Sequence, residues 1–350
     1  MTISDQQPPR RSAGAISHRR VQLAWPKGQE FRILSIDGGG IRGIFPAAFL
    51  SGLEYRFLDG KAITPYFDLI AGTSTGGIIA LGLGSGLTAS DLLDLYLHRG
   101  REVFPPLPII ARPAARFLNY FKYRYSRQAL TNVLQDTFGE TKFGDSRSRL
   151  CIPSCDGTNG EVYVFKTPHH QDYRQDYKEA MTKVGLATSA APGYFKPLVD
   201  GGYTFVDGGV WCNNPIMVGL VDTLACFRVP PDHIRVLSLS CGINPYKVGR
   251  VKRKFGGKLF WYDIIFAAMR FQSENAIGQA GLLIGRDRIK RVCPHNTIRP
   301  IELDDWKRAS NELPLAAEKR VDEFGDDVAA LFLREPTDNY LPFTRKSPAF

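Results

Sequence analysis

Three short stretches carry residue types that together make up an acyl-transfer site. Gly72-Thr73-Ser74-Thr75-Gly76 is a G-x-S-x-G run between an apolar segment at 67–71 and a second apolar stretch that starts at Ile78. A strand, a tight turn and a helix in that order set the serine on a strained corner with its hydroxyl exposed. Gly72 and Gly76 are needed because a Cβ on either side of so sharp a turn would collide with neighbouring elements. Ser74 would also sit at a helix N-terminus, whose backbone field favours negative charge building up beside it. Taken alone, the run also fits a Gly-rich turn with a solvated serine, so its meaning depends on the rest of the chain.

The second stretch is Asp37-Gly38-Gly39-Gly40-Ile41-Arg42-Gly43, directly after an apolar run at 31–36. Gly38 to Gly43 formally matches G-x-G-x-x-G, the dinucleotide-binding signature. That reading needs a second strand ending in an acidic residue about twenty positions on. Here the next strand runs into the Gly72–Gly76 turn instead, and Asp59 falls in a turn before it. The other use of such a loop is an oxyanion hole, in which successive backbone N–H groups point into one concavity. Arg42 adds a cation beside the loop or braces it.

A serine needs a positioned base. The histidines are His18, His98, His169, His170, His233 and His295. None stands in a loop after a late strand and acid, as a Ser-His-Asp enzyme of α/β-hydrolase type requires. Asp207 is the better base. It ends an apolar run at 203–206, and Gly208 and Gly209 let backbone and substrate approach. The C-terminal edge of a strand is where α/β sheets bind ligands, and desolvation there raises a carboxylate's basicity. A Ser-His-Asp esterase, or a lipid- or nucleotide-binding protein without catalysis, remain the alternatives.

These residues require strands and helices in alternation. Strands are expected at 31–36, 67–71, 149–153, 162–165, 203–206 and 234–240. Helices are expected at 45–57, from 78, at 87–104, 178–189, from 215, and at 259–284, with an acidic helix in the last fifty residues. The pattern is an α/β protein, a three-layer α/β/α sandwich with a central, mostly parallel sheet. Residues 1–28 read as a disordered basic tail, 29–230 as the catalytic core, and 231–350 as a strand and helical extension that completes the same domain. Leu69 to Ser90 carries no charge, but its glycines argue for a buried strand and helix rather than a membrane span.

The 350 residues carry a net charge of +10 and a pI near 9.3, which favours polyanionic partners such as anionic lipid or nucleotides. The cations cluster at 112–127, interleaved with aromatics, and at 247–258. Arg116, Lys122, Arg124, Arg253 and Lys254 are the candidate contacts for such a ligand or for a membrane. The six cysteines are scattered, as suits reduced thiols in a reducing compartment. Cys151 and Cys155 have the spacing of half a zinc site, but no second pair follows, so no metal and no cofactor is expected. Residues 1–28 lack the apolar run of a signal peptide. The expected location is cytoplasmic, peripheral to the inner membrane when active.

With the three motifs in this order, the chain resembles the patatin-like phospholipases over roughly residues 31–225, and Ala187-Thr188-Ser189-Ala190-Ala191-Pro192 looks like the same family. The resemblance implies lipid acyl hydrolysis through an acyl-enzyme. It implies a Ser-Asp dyad with Ser74 as nucleophile and Asp207 as general base, and an oxyanion hole from the N–H groups of Gly38, Gly39 and Gly40. More narrowly, the chain is similar to patatin-type effectors of anti-phage signalling. This implies activation by a cyclic dinucleotide, attack on membrane phospholipid in antiviral defence, and no nucleic-acid polymer as partner. Residues 259–284 are apolar enough to form a homo-oligomer interface.

Overall fold

The computed structural model describes residues 20–105, 123–242, 264–295, 299–337 and 340–343. Its frame is an eight-stranded sheet: β1 Phe31–Ile36, β2 Leu69–Gly72, β3 Arg149–Asp156, β4 Glu161–Lys166, β5 Leu198–Asp200, β6 Tyr203–Asp207, β7 Ile234–Leu239 and β8 Ile289–Val292. The order is β5-β6-β3-β2-β1-β7-β8, with β4 paired to β3 off this path. The five strands from β3 to β8 run parallel, while β4, β5 and β6 form an antiparallel flank. The expected mostly parallel α/β sandwich is the fold observed.

Successive side chains of a strand point to opposite faces, and both faces are covered here. Leu34, Ile36 and Ile70 belong to one core, and Phe31, Ile33, Leu69 and Ala71 to the other. This is why the central strands read as near-continuous apolar runs. The first core is roofed by α1 Ile44–Phe57, α2 Thr75–Ser85, α3 Ala89–Val103, α4 Arg127–Phe138, α5 Met181–Thr188 and the long α9 Trp306–Phe332. Thr88 starts α3 with a capping box to Asp91, as its residue type suggests. The second core is covered by α7 Ile216–Cys226 and α8 Ile264–Ile284. Between β6 and α7 lies the one-turn helix α6, Gly209–Cys212.

The N-terminal expectation needs correction in part. Residues 1–19 lie outside the described residues, but 20–28 are not a loose tail. Leu23 N–H donates to Cys226 O at 2.7 Å, and Leu23 O accepts Arg228 N–H at 2.9 Å. Trp25 packs its ring on Phe31 and Phe227, with centroids 4.6 and 5.6 Å away. Two apolar residues in a short polar context were enough to dock the segment. The helix α4 and the strands β5 and β8 were not expected from sequence. Among the described residues no helix is long and apolar enough to cross a membrane; the uncharged stretch 69–90 is β2 followed by α2.

Candidate active site

The nucleophile elbow is built by close approach. Ser74 has φ 54° and ψ −120°, one of two non-glycine residues with positive φ among those described. A Cβ at Gly72 would lie 2.1 Å from Gly76 O, and one at Gly76 would lie 2.3 Å from Ile36 O. No side chain fits at either position, so the turn sets the first residues of α2 directly against the ends of β2 and β1. Such strain at a single residue persists only when its surroundings over-determine it. Part of that support is Thr188 at the end of α5. Its Oγ1 accepts Ser74 N–H at 3.0 Å and donates to Pro153 O at 2.6 Å.

Ser74 Oγ donates to Asp207 Oδ2 at 2.8 Å, although 133 residues separate them. The other oxygen, Oδ1, accepts Gly209 N–H at 2.6 Å. Asp207 is 4% exposed and has no cationic partner in these bonds. Burial therefore raises its carboxyl to about 6, against the smaller opposing effect of the two donors. Neither oxygen meets an imidazole among the described residues.

Those histidines lie elsewhere. His98 takes Asp94 O on the surface of α3, and His233 sits beside Asp232. His170 bonds Val21 O, and His295 lies 3.7 Å from Glu323. His18 is outside the described residues. His169 is fully buried behind the sheet, with Nε2 on Asp222 Oδ2 at 2.7 Å and Nδ1 on Thr167 Oγ1 at 2.9 Å. Cys151, His169 and Asp222 bring three potential metal ligands within 4.8 Å of one another. The cation that neutralises Asp222 there is the Lys166 ammonium, 2.7 Å from Oδ1.

The glycine loop stands over the serine but does not use every residue as expected. Gly38 N–H donates to Asn213 O at 2.9 Å, which removes it from the set of free donors. The N–H groups of Gly39 and Gly40 meet no protein acceptor among the described residues. Arg42 Nε donates back to Gly39 O at 3.2 Å, a bond that braces the loop, and Arg42 is not among the residues that line the cleft into which Ser74 and Asp207 open. Both ends of the loop are tied by residues far along the chain. Arg291 on β8 takes Asp37 through two bonds, at 2.9 and 2.5 Å, and Leu303 O accepts Ile41 N–H at 2.8 Å. A Cβ at Gly39 would overlap Cys241, and one at Gly40 would overlap Leu303.

Ser74 and Asp207 open into a cleft of about 880 Å³. Gly39 and Gly40 line its polar end, and Ile78, Leu95, Val103, Val133, Leu134 and Phe195 line an apolar branch between α3 and α4. Arg124 also lines it, paired to Asp304 at 2.6 Å with its guanidinium over the Tyr125 and Tyr194 rings. Of the five candidate cations only Arg124 can be placed; Arg116, Lys122, Arg253 and Lys254 lie outside the described residues. Arg291, Thr188 and Asn213 are the supporting residues that sequence did not single out as such. Arg291 follows Lys290 in the four-residue strand β8, so no local signal set it apart.

The family model described as Patatin-like phospholipase matches residues 34–220. A protein called cGAMP-activated phospholipase in Pseudomonas aeruginosa is 32% identical over 257 residues, covering 71% of this chain and 75% of its own length. Its namesake from Vibrio cholerae is 36% identical over 207 residues, 55% of this chain and 57% of that protein. Patatin-like protein 2 of Oryza sativa subsp. indica is 31% identical over 247 residues, covering 61% of each chain. The chain thus spans between about half and three quarters of the length of these relatives. The elbow, the glycine loop and Asp207 all fall within the matched segment, and the chain belongs to the patatin-like phospholipase family.

Proposed function

We propose that the protein hydrolyses acyl esters of glycerophospholipids through Ser74 and Asp207. The observation that carries this reading is the 2.8 Å bond between Ser74 Oγ and Asp207 Oδ2 beneath the Gly39 and Gly40 amides, at the polar end of an apolar cleft. Asp207 takes the Ser74 proton as Oγ attacks the ester carbonyl. The carbonyl oxygen gains the negative charge and is held by the Gly39 and Gly40 N–H groups. A well-placed donor of this kind is worth about 3–4 kcal/mol in the transition state. The tetrahedral intermediate expels the lysolipid oxygen, which takes the proton from Asp207. Water then gives its proton to Asp207, attacks the acyl-enzyme and releases the fatty acid as Ser74 recovers a proton. The acyl chain lies along the Leu95–Val133 branch. A base near pH 6 suits this cycle at neutral pH, because it is ionised yet still basic enough to accept a proton.

A second element is activation by a cyclic dinucleotide, which the name of the bacterial relatives supports; a glycerophospholipid substrate sets the place of action at a membrane. The test is fatty-acid release from phospholipid vesicles with and without cGAMP, in parallel with labelling by a fluorophosphonate probe. Release that needs Ser74 and rises with cGAMP supports both elements. Release indifferent to cGAMP overturns the activation, and the absence of both release and labelling overturns the hydrolase.

A further inference from the structure

Two cations line the cleft among the described residues, Arg99 and Arg124, and they are engaged differently. The Arg99 fork is filled by acids: Nε and Nη2 both meet Glu102, and Nη2 also donates to Asp136 at 3.1 Å. Arg124 has one acidic partner, Asp304, 2.6 Å from Nη1. Its Nε and Nη2 meet no protein acceptor among the described residues. The pair is lopsided, with the Asp304 side chain 5% exposed and that of Arg124 33%. Asp304 also accepts Tyr125 O–H at 2.8 Å, so the acid is the buried anchor and the guanidinium is the group held out. The guanidinium lies over the Tyr125 and Tyr194 rings, 5.6 and 6.0 Å from their centroids. The backbone is fastened too: Arg124 N–H donates to Gly193 O at 3.1 Å, and Tyr125 N–H to Tyr194 O at 2.9 Å. A guanidinium fixed by ring stacking and one carboxylate, with its second edge open, is pre-organised for an oxyanion.

The anchor also fixes where that anion would sit. Asp304 follows Leu303, whose carbonyl accepts Ile41 N–H at 2.8 Å and would lie 2.3 Å from a Cβ at Gly40. Arg124 is therefore tied to the segment that holds the glycine loop in place. In a glycerophospholipid one glycerol joins the phosphodiester to the acyl esters, so an ester carbonyl held at the glycine loop brings a phosphate with it. An acylglycerol has the same esters and no anion. Its neutral end would cover the guanidinium edge without offering it a charged acceptor, which lowers affinity. Nothing else in the cleft makes this distinction, because Asp207 and the filled Arg99 are the other charged residues among its described lining.

We propose that Arg124 binds the phosphodiester of the substrate and so selects phospholipid over neutral acylglycerol. The statement deepens the acyl-hydrolase reading and rests on it. The test uses the full chain over a range of cGAMP concentrations, with dihexanoyl phosphatidylcholine and dihexanoylglycerol, both kept monomeric in solution. Phosphatidylcholine has no net charge, so general attraction to a basic surface does not contribute. The wild type is expected to favour the phospholipid in kcat/KM. Arg124→Gln is expected to lower the ratio of the two kcat/KM values about tenfold or more, through KM for the phospholipid. Arg124→Lys keeps a charge beside Asp304 but not the fork, and is expected to lose part of the same ratio.

An unchanged ratio in Arg124→Gln overturns the proposal. So does an equal loss on both substrates, which would make Arg124 a brace of the cleft wall. If Arg124→Gln does not fold, the lysine variant decides, and a wild-type ratio there overturns the contact. A shift in the cGAMP concentration for half-activation, with the ratio unchanged, assigns the phosphate contact to the messenger and overturns it too. If the wild type cleaves neither ester, the hydrolase reading falls. Titration calorimetry with the dihexyl diether of phosphatidylcholine, which has no ester to cleave, then decides the phosphate contact. Binding weakened about tenfold by Arg124→Gln supports it, and equal binding or none overturns it.

Discussion

Asp207 and Asp222 lie fifteen residues apart, and both are buried, at 4% and 2% exposure. Each meets a hydroxyl, Ser74 in one case and Tyr173 in the other. Yet burial raises Asp207 to about 6, whereas Asp222 is held well below the usual carboxylate range. Burial pushes Asp222 upward too, but the Lys166 ammonium and His169 outweigh it. The difference is a full positive charge within hydrogen-bond reach. Neutral donors leave a buried carboxylate basic, and an ammonium makes it a fixed anion. The contrast extends to the hydroxyls. Thr167, His169 and Asp222 form a chain of hydroxyl, imidazole and carboxylate with the members of a catalytic triad, sealed behind the sheet. Ser74 and Asp207 form a shorter chain without imidazole, and only that one opens to a cleft.

The largest effect that sharpens this comparison is on rate. Ser74→Ala and Asp207→Asn are each expected to lower kcat about 10⁴-fold or more, the scale on which nucleophile and base variants fall. His169→Gln is expected to leave kcat of the folded protein within about threefold, since no step passes through it. The pH profile gives a second reading. Asp207 must be ionised to accept the proton, so kcat/KM is expected to fall tenfold per pH unit below about 6 and to be level above it. A profile unchanged from pH 7 to 4, or His169→Gln as damaging as Ser74→Ala, would break the comparison.

What sequence could reach follows from the same contrast. Ser74, the Gly72 and Gly76 flanks and Asp207 were legible because each needs a particular residue type at a particular backbone corner. The central strands were legible because both sheet faces are buried. Gly38 was assigned as a donor along with its neighbours, because a run of three glycines does not reveal which amide Asn213 O will take. His169 read as a polar-loop residue because its partner Asp222 lies 53 positions away on α7. Arg291 and Leu303, which tie the ends of the glycine loop, come from a segment beyond the matched family region. Long-range pairing of this kind leaves no local periodicity. The helix α4 did carry a local signal, Leu130, Val133, Leu134 and Phe138 at helical spacing, which the expected elements did not include.

On stability the order of the two aspartates reverses. Asp222→Ala leaves the Lys166 ammonium buried without its anion and is expected to cost about 3–5 kcal/mol by urea unfolding. Asp207→Asn is expected to stabilise. Between the ordinary value of 3.8 and the folded value of about 6, the native state binds more protons at Asp207 than the unfolded chain. Stability from this group therefore falls as pH rises through that window, and above it the ionised carboxylate costs at most about 3 kcal/mol. The asparagine variant is expected to recover about 1–3 kcal/mol at pH 8 and nothing at pH 3.5. A destabilised Asp207→Asn at pH 8 would show that the carboxylate is held by more than Ser74 and Gly209.

The smallest effect is also the cleanest comparison, because it deletes one hydroxyl from each chain. Thr167→Val keeps the shape and removes the Oγ1 that meets His169 Nδ1 and accepts Leu150 N–H at 2.9 Å. Two buried polar groups lose a partner, a cost of about 1–3 kcal/mol, with no change expected in kcat. Ser74→Ala removes a hydroxyl whose carboxylate partner keeps Gly209 N–H and whose surroundings are a cleft that water can enter. Its expected stability change is within about 1 kcal/mol, because solvent can replace the lost donor. One deletion thus moves stability and spares rate, and the other moves rate and spares stability. Unfolding curves and kcat measured on the same two preparations decide it, and a rate loss in Thr167→Val beyond about threefold would mean that the sealed chain also shapes the elbow through β3.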